Sequence, residues 1–302
     1  MTQSGKISCI LVTLLAVACL FAAGCTGTQD GEDGPPPAGT LQPSEPKSIA
    51  IGYVLWDSEI ASTNVIKQVF EKAGYDVRLI AVDAAPLYQG LSKGEFDFTV
   101  SSWLPRTHGS YMEKFGDRID EVGRNMNGTR IGLVVPTYVT IDSIEEMNGV
   151  KDKFDGTITG IEPGAGIMAA TEEAIEEYGL DSELVYSSSA GMASALRKAV
   201  QNEEWIVVTG WTPHWKFARW DLKYLEDPKG VYGGEEYVAT LARTGLAEDD
   251  PEAYAILQRF FWTPEDMQAV MLDIDDGMSE TEAAKKWLDD HPDQVDAWFG
   301  KA

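Results

Sequence analysis

Apolar and polar positions divide the chain into three stretches of different pattern. From Ile7 to Gly24 every residue is apolar or small, and Lys6 stands just before the run. That length suits the hydrophobic region of a secretory signal and is short for a comfortable membrane span. Residues 26–48 are Gly, Pro, Thr, Ser and acids with almost nothing to bury, and Pro35-Pro36-Pro37 makes the middle locally stiff. This is the composition of a flexible linker. From residue 49 onward, short apolar runs alternate with segments whose apolar residues recur at helical spacing.

In this third stretch the pattern predicts strands at 48–54, 76–82, 96–100 and 131–135, with helices over 63–73 and 84–91. The first helix carries Val65, Ile66, Val69 and Phe70 on one face and stops at Gly74. The alternation then restarts, with strands at 156–161, 184–186 and 205–209 and helices over 169–178 and 193–200. Strands separated by helices argue for parallel α/β layers, and two such series argue for two lobes. After Asp249 three helices follow, each opened by an Asp-Pro or Thr signal of the N-cap kind.

Composition sharpens this outline. The chain has 302 residues, 44% of them hydrophobic, enough for about two domains with a sizeable core. There are 49 acidic residues against 24 Lys and Arg, a net charge of −25 that repels phosphates and argues against a nucleic-acid partner. All three cysteines, Cys9, Cys19 and Cys25, lie in the first 25 residues, so the folded part has no disulfide, thiolate zinc site or Cys nucleophile. Phe21-Ala22-Ala23-Gly24-Cys25 resembles a lipoprotein signal site, at which cleavage leaves a lipidated Cys25; an uncleaved anchor is the alternative. Either form holds the protein at the outer face of the membrane.

Ligands in α/β sheets collect at strand ends, where loops and helix N-termini converge. This chain places Trp56, Trp103 and Trp211 just after predicted strands. A tryptophan there packs in the core or lines a cleft, and three in equivalent positions favour a cleft. Trp205, Trp215, Trp220, Trp262, Trp287 and Trp298 are assigned to the core or a lobe surface. Indole faces hold a cation without hydrogen bonds, which suits a quaternary ammonium group at roughly 0.5–2 kcal/mol per desolvated contact. A sugar ring is the other ligand that stacked aromatics suit. In Glu162-Pro163-Gly164-Ala165-Gly166-Ile167-Met168, glycines join a strand to a helix, where backbone N–H groups can meet a carboxylate or simply make the turn. His108 follows five residues after Trp103 and is one of three histidines; it is a ligand-binding candidate or a surface or capping residue.

The stretches Tyr53 to Val65, WLPRTH at 103–108, IEPGAGIM at 161–168 and Val207 to Gly233 resemble the substrate-binding proteins of glycine betaine/proline betaine ATP-binding-cassette (ABC) transporters. The resemblance spans nearly the whole chain after Ser48 and implies a two-lobed periplasmic-binding-protein-like α/β fold (type II), with a hinge and a ligand cleft. It implies a tryptophan prism of Trp56, Trp103 and Trp211 around a trimethylammonium group. It puts the ligand's carboxylate on the amides of Gly166 and Ile167 and on His108. Arg106, inside one motif, is expected to add positive potential near that carboxylate. Trp56 and Trp103 are expected from one lobe, Trp211 and the 166–167 turn from the other.

The implied organisation is a signal peptide at 1–25, a linker at 26–48, lobe 1 from 49–137 and 238–302, and lobe 2 from 138–237. The implied function is solute binding for an ABC permease, as a monomer, in osmoprotection, with no cofactor or metal. Choline, carnitine, ectoine or a sugar are alternative ligands. An enzyme is disfavoured because the folded part has no Cys, no G-x-S-x-G elbow and only His108, His214 and His291, with no zinc-type pair. A structural or adhesive surface protein is the remaining class. Because a betaine has no net charge, the acidity is read as a solvated surface suited to high external salt.

Overall fold

The computed structural model describes residues 47–301; the expected signal, Cys25 and nearly all of the linker lie outside the described residues. In chain order the elements are β1 (Ser48–Tyr53), α1 (Asp57–Lys72), β2 (Asp76–Ala81), α2 (Ala84–Leu91), β3 (Phe98–Leu104), α3 (Gly109–Phe115) and β4 (Ile119–Pro136). A 3-10 helix (Ile144–Phe154) leads to β5 (Thr157–Thr159), α4 (Gly166–Tyr178), β6 (Glu183–Val185), α5 (Ser189–Asn202), β7 (Val208–Thr212), α6 (Lys216–Arg219) and β8 (Leu222–Tyr224). The chain ends with β9 (Glu236–Arg243), α7 (Leu246–Asp249), α8 (Pro251–Arg259), α9 (Pro264–Asp275), α10 (Glu280–Asp290) and α11 (Pro292–Trp298).

The strands run in the order β2-β1-β3-β9-β4-β7-β5-β6, with β8 on β4. The 18-residue β4 holds this curled sheet together: residues 119–129 pair with β9, and residues 130–136 pair with β7 and β8. The sheet therefore parts into two halves within one strand, at Thr129 and Arg130, and the chain returns from the second half to the first through residues 225–235. Two lobes joined by such crossings can close on a ligand. Helices α9 and α10 pack on α1, and α8 packs on β4.

The sheet is mixed, where the alternating pattern predicts parallel layers. The pairs β1–β2, β1–β3, β5–β6 and β5–β7 are parallel; β4 and β9 run antiparallel to their neighbours because they carry the chain between the halves. The first half of β4, IDEVGRNMNGTR, and all of β9 show no readable strand pattern. In β4 the exposed charged positions and three register shifts break the alternation. In β9, buried residues on both faces remove it. Helix α1 begins six residues before the predicted start, at Asp57, and Ser58, Glu59, Ala61 and Ser62 in its early turns are buried. Cross-strand pairing of Trp103 with Val238 and of Trp211 with Ile131 extends β3 and β7, so both tryptophans lie inside strand ends instead of after them.

Candidate ligand-binding site

Three successive residues at the start of α1 organise the site. Trp56 is the N-cap of that helix in extended conformation, and its ring leaves the strand end of β1. In the next turn Asp57, Ser58 and Glu59 each accept an indole N–H. Asp57 Oδ1 accepts from Trp215 Nε1 at 2.8 Å, Ser58 Oγ from Trp211 Nε1 at 3.1 Å and Glu59 Oε1 from Trp103 Nε1 at 2.6 Å. The indole of Trp56 itself donates to Glu162. A buried indole N–H needs an acceptor, and here each of them is met by a side chain of the protein.

The rings thereby border a cleft lined by Trp56, Ser58, Trp103, Thr107, His108, Ile131, Ile161, Ala165, Gly166, Ile167 and Trp211. All six residues expected to bind ligand, Trp56, Trp103, Trp211, His108, Gly166 and Ile167, line this one cavity. Trp56 and Trp103 come from the β1, β3 half of the sheet; Trp211 comes from β7 in the other. Ser58, Thr107, Ile131, Ile161 and Ala165 carry no separate signal in the sequence. Glu59 and Glu162, which hold two of the indoles, lie inside the motifs quoted above, which assign them no role.

The other end of the cavity offers donors. His108 is buried and stacks on Trp56, with ring centroids 5.6 Å apart. Its Nδ1 accepts the backbone N–H of Trp103 at 3.0 Å, so the ring proton belongs on Nε2, which has no hydrogen-bond partner. Burial lowers its pKa to about 3 and keeps the ring neutral. Beside it, Gly166 and Ile167 form the first turn of α4, where backbone N–H groups have no intrahelical acceptor and the helix dipole favours an anion. A side chain at Gly166 would overlap the Thr107 carbonyl, so only glycine lets the helix end approach this closely. The arrangement can hold a cation without donors at one end and a carboxylate at the other.

Arg106 does not face this cavity. Its guanidinium donates to the Val231 carbonyl and pairs with Glu173, which leaves the neutral His108 ring and the α4 amides as the donors at this end. Together with Tyr111 Oη on the Gly164 carbonyl at 2.7 Å and Ser189 Oγ on Asp57 at 2.7 Å, it ties α4 and α5 across the cleft. Arg197 and Arg219 meet Asp275 on the far side, both at 3.0 Å. Among the described residues no group of three or more His, Cys, Asp or Glu could hold a metal, and no helix is long and apolar enough to cross a membrane.

Residues 47–290 match the model for the substrate-binding domain of ABC-type glycine betaine transport systems. The chain belongs to this family. It is 50% identical over 162 residues to the glycine betaine/carnitine transport binding protein GbuC of Listeria monocytogenes, a match covering 53% of this chain and 54% of that protein. The chain thus spans about half the length of that curated relative. The crystal structure of lactococcal OpuAC, closed and complexed with glycine betaine, superposes with a TM-score of 0.81 at 47% identity, covering 84% of this chain and 99% of that one. The glycine betaine/L-proline-binding protein ProX of Borrelia burgdorferi gives a TM-score of 0.81 at 41% identity, covering 83% and 96%. These family members are two-lobed substrate-binding proteins of transporters, not enzymes.

Proposed function

We propose that the protein is the extracytoplasmic solute-binding component of an ABC importer and takes glycine betaine or proline betaine for osmoprotection. The quaternary ammonium group sits among Trp56, Trp103 and Trp211. The carboxylate meets the amides of Gly166 and Ile167 and the Nε2–H of His108. The observation that carries this reading is the polarity of one cavity: three indoles whose N–H groups are all used elsewhere at one end, and an unpartnered buried imidazole N–H at the other. A quaternary ammonium has no N–H to satisfy and is the cation such a cage accepts. Three faces together contribute about 2–6 kcal/mol before entropy.

Titration of the intrinsic tryptophan fluorescence tests the assignment. Glycine betaine and proline betaine are expected to bind in the micromolar range or tighter and maltose not at all. Choline, which keeps the cation and lacks the carboxylate, is expected to bind more weakly. Equal binding of choline and glycine betaine would remove the roles given to Gly166, Ile167 and His108. Carnitine is the second reading, because GbuC is named for both solutes and carnitine carries the same two end groups. The export signal at 1–25, lipid attachment at Cys25 and a monomeric state belong to the same proposal. Labelled fatty acid incorporated by the full chain and lost in Cys25→Ala is the expected result for the anchor.

A further inference from the structure

Behind the cage lies a lysine that the site does not use. Lys216, the first residue of α6, is fully buried, and its Nζ has no hydrogen-bond partner. The Nζ rests 4.3 Å from the centroid of Trp211 and 5.7 Å from that of Phe217. Lys216 is absent from the cavity lining while Trp211 is part of it, so the ammonium lies against the indole from outside the cavity. Lysine is almost never fully buried unless paired, and an unsatisfied ammonium against a ligand-binding ring is a costly arrangement to keep for packing alone.

We propose that Lys216 sets the affinity of the cage: its charged form draws on the Trp211 π-system and repels the bound quaternary ammonium, and loss of its proton strengthens binding. The inference rests on the betaine reading above. A quaternary ammonium across the indole would lie about 9 Å from Nζ, and at an effective dielectric constant of about 20 that repulsion weakens binding about twentyfold. Burial lowers the Lys216 pKa to about 7, against the opposing pull of Asp57. The charge therefore changes within the range a cell surface meets.

Other titratable or charged groups lie in the same region. On α1, the Asp57 carboxyl would be raised by burial, but its contacts with His214, Ser189 and Trp215 outweigh this and keep it ionised throughout. His214, on the same loop as Lys216, is pushed down to about 4 by burial and the lysine charge and stays neutral. Arg197 of α5 lies over Trp215 and Trp220 and pairs with Asp275 of α9, a pair of fixed charge. Glu59 is the one competitor. Burial raises it to about 7, against the hydrogen bonds from Trp103 and Ser58, and its ionisation would also favour a bound cation as pH rises.

Calorimetric titration of the full chain with glycine betaine between pH 5.5 and 8.5 separates them. The wild type is expected to bind about twentyfold tighter at pH 8.5 than at pH 5.5. Lys216→Met, which removes a buried charge at little cost to stability, should bind tightly across the range with most of that slope gone. Glu59→Gln, which keeps an acceptor for Trp103, should retain most of the slope. A flat wild-type profile, or a slope kept by Lys216→Met and lost by Glu59→Gln, would overturn the proposal. Should Lys216→Met fail to fold, proton release on binding by Glu59→Gln at pH 7, read in two buffers of different ionisation heat, supports it and zero release overturns it. No binding by the wild type at any pH would instead overturn the betaine reading beneath it.

Discussion

Two groups of three tryptophans in this protein are almost equally buried and behave differently. Trp262, Trp287 and Trp298 in the C-terminal helical region are 0%, 4% and 2% exposed; Trp56, Trp103 and Trp211 are 6%, 3% and 5%. In the C-terminal group the faces are filled by other rings. Trp287 stacks on His291 at 4.3 Å and on Trp298 at 5.5 Å, while Trp262 meets Trp287 edge to face at 5.7 Å. Their N–H groups are treated loosely: Trp298 donates to the Phe261 carbonyl, whereas those of Trp262 and Trp287 have no partner. In the cleft group every N–H is met by a side chain, two of them carboxylates, and each ring borders a shared cavity, with His108 stacked on Trp56 and Lys216 against Trp211. Burial does not separate a core tryptophan from a cavity-lining one; the destinations of the N–H and of the ring faces do.

The contrast can be broken from either side. Trp298→Ala should have the largest effect, about 3–5 kcal/mol of stability, lowering Tm by roughly 10 °C while the folded fraction binds glycine betaine normally. Trp211→Ala should reverse the pattern, with glycine betaine binding weakened about tenfold or more in calorimetry and a smaller change in Tm, because its face already borders a cavity. If Trp211→Ala unfolds the chain and Trp298→Ala weakens only binding, the two groups have been assigned the wrong way round.

At the carboxylate end, Gly166→Ala should lose most glycine betaine affinity by forcing α4 away from Thr107, with stability nearly unchanged. His108→Ala should cost about tenfold for glycine betaine, the worth of a hydrogen bond to a charged group, and little for choline. His108 also links binding to acid stability. Its folded pKa of about 3 lies below the 6.5 of the free side chain, so the unfolded chain takes up the proton first. Stability is therefore full above about pH 6.5 and falls as pH drops from there toward 3. Tm measured at pH 7 and pH 5 should show the loss, and His214, depressed to about 4 by burial and the Lys216 charge, adds to it. The smallest effect concerns the net charge of −25: raising salt from low to molar levels should leave Tm unchanged or higher, and a sharp fall would remove the reading of an acidic surface fitted to high salt.

That Trp56, Trp103 and Trp211 border one cavity was legible in the sequence because all three stand at strand ends, and the motifs around them supplied the grouping. The elements that turn α/β layers into a two-lobed sheet were not legible. The first half of β4 alternates its charges irregularly through three register shifts, and β9 hides between two neighbours, so neither shows a period of two. Asp57, Ser58 and Glu59 look like the polar first turn of any helix. Their use as acceptors follows only from where Trp215, Trp211 and Trp103 arrive, from segments 44 to 158 residues away. Lys216 was hidden for the same reason, since residue type argues for exposure and only the packing of α6 behind β7 buries it.

A carbon isostere of glycine betaine, 3,3-dimethylbutanoate, keeps the shape and the carboxylate and removes the positive charge. Its Kd, compared with that of glycine betaine in salt high enough to screen the net charge of the chain, tests whether the indole faces hold a cation. With three cation–π contacts at work, the isostere should bind at least about 30-fold more weakly. Equal affinities would mean that Trp56, Trp103 and Trp211 merely enclose an apolar shape.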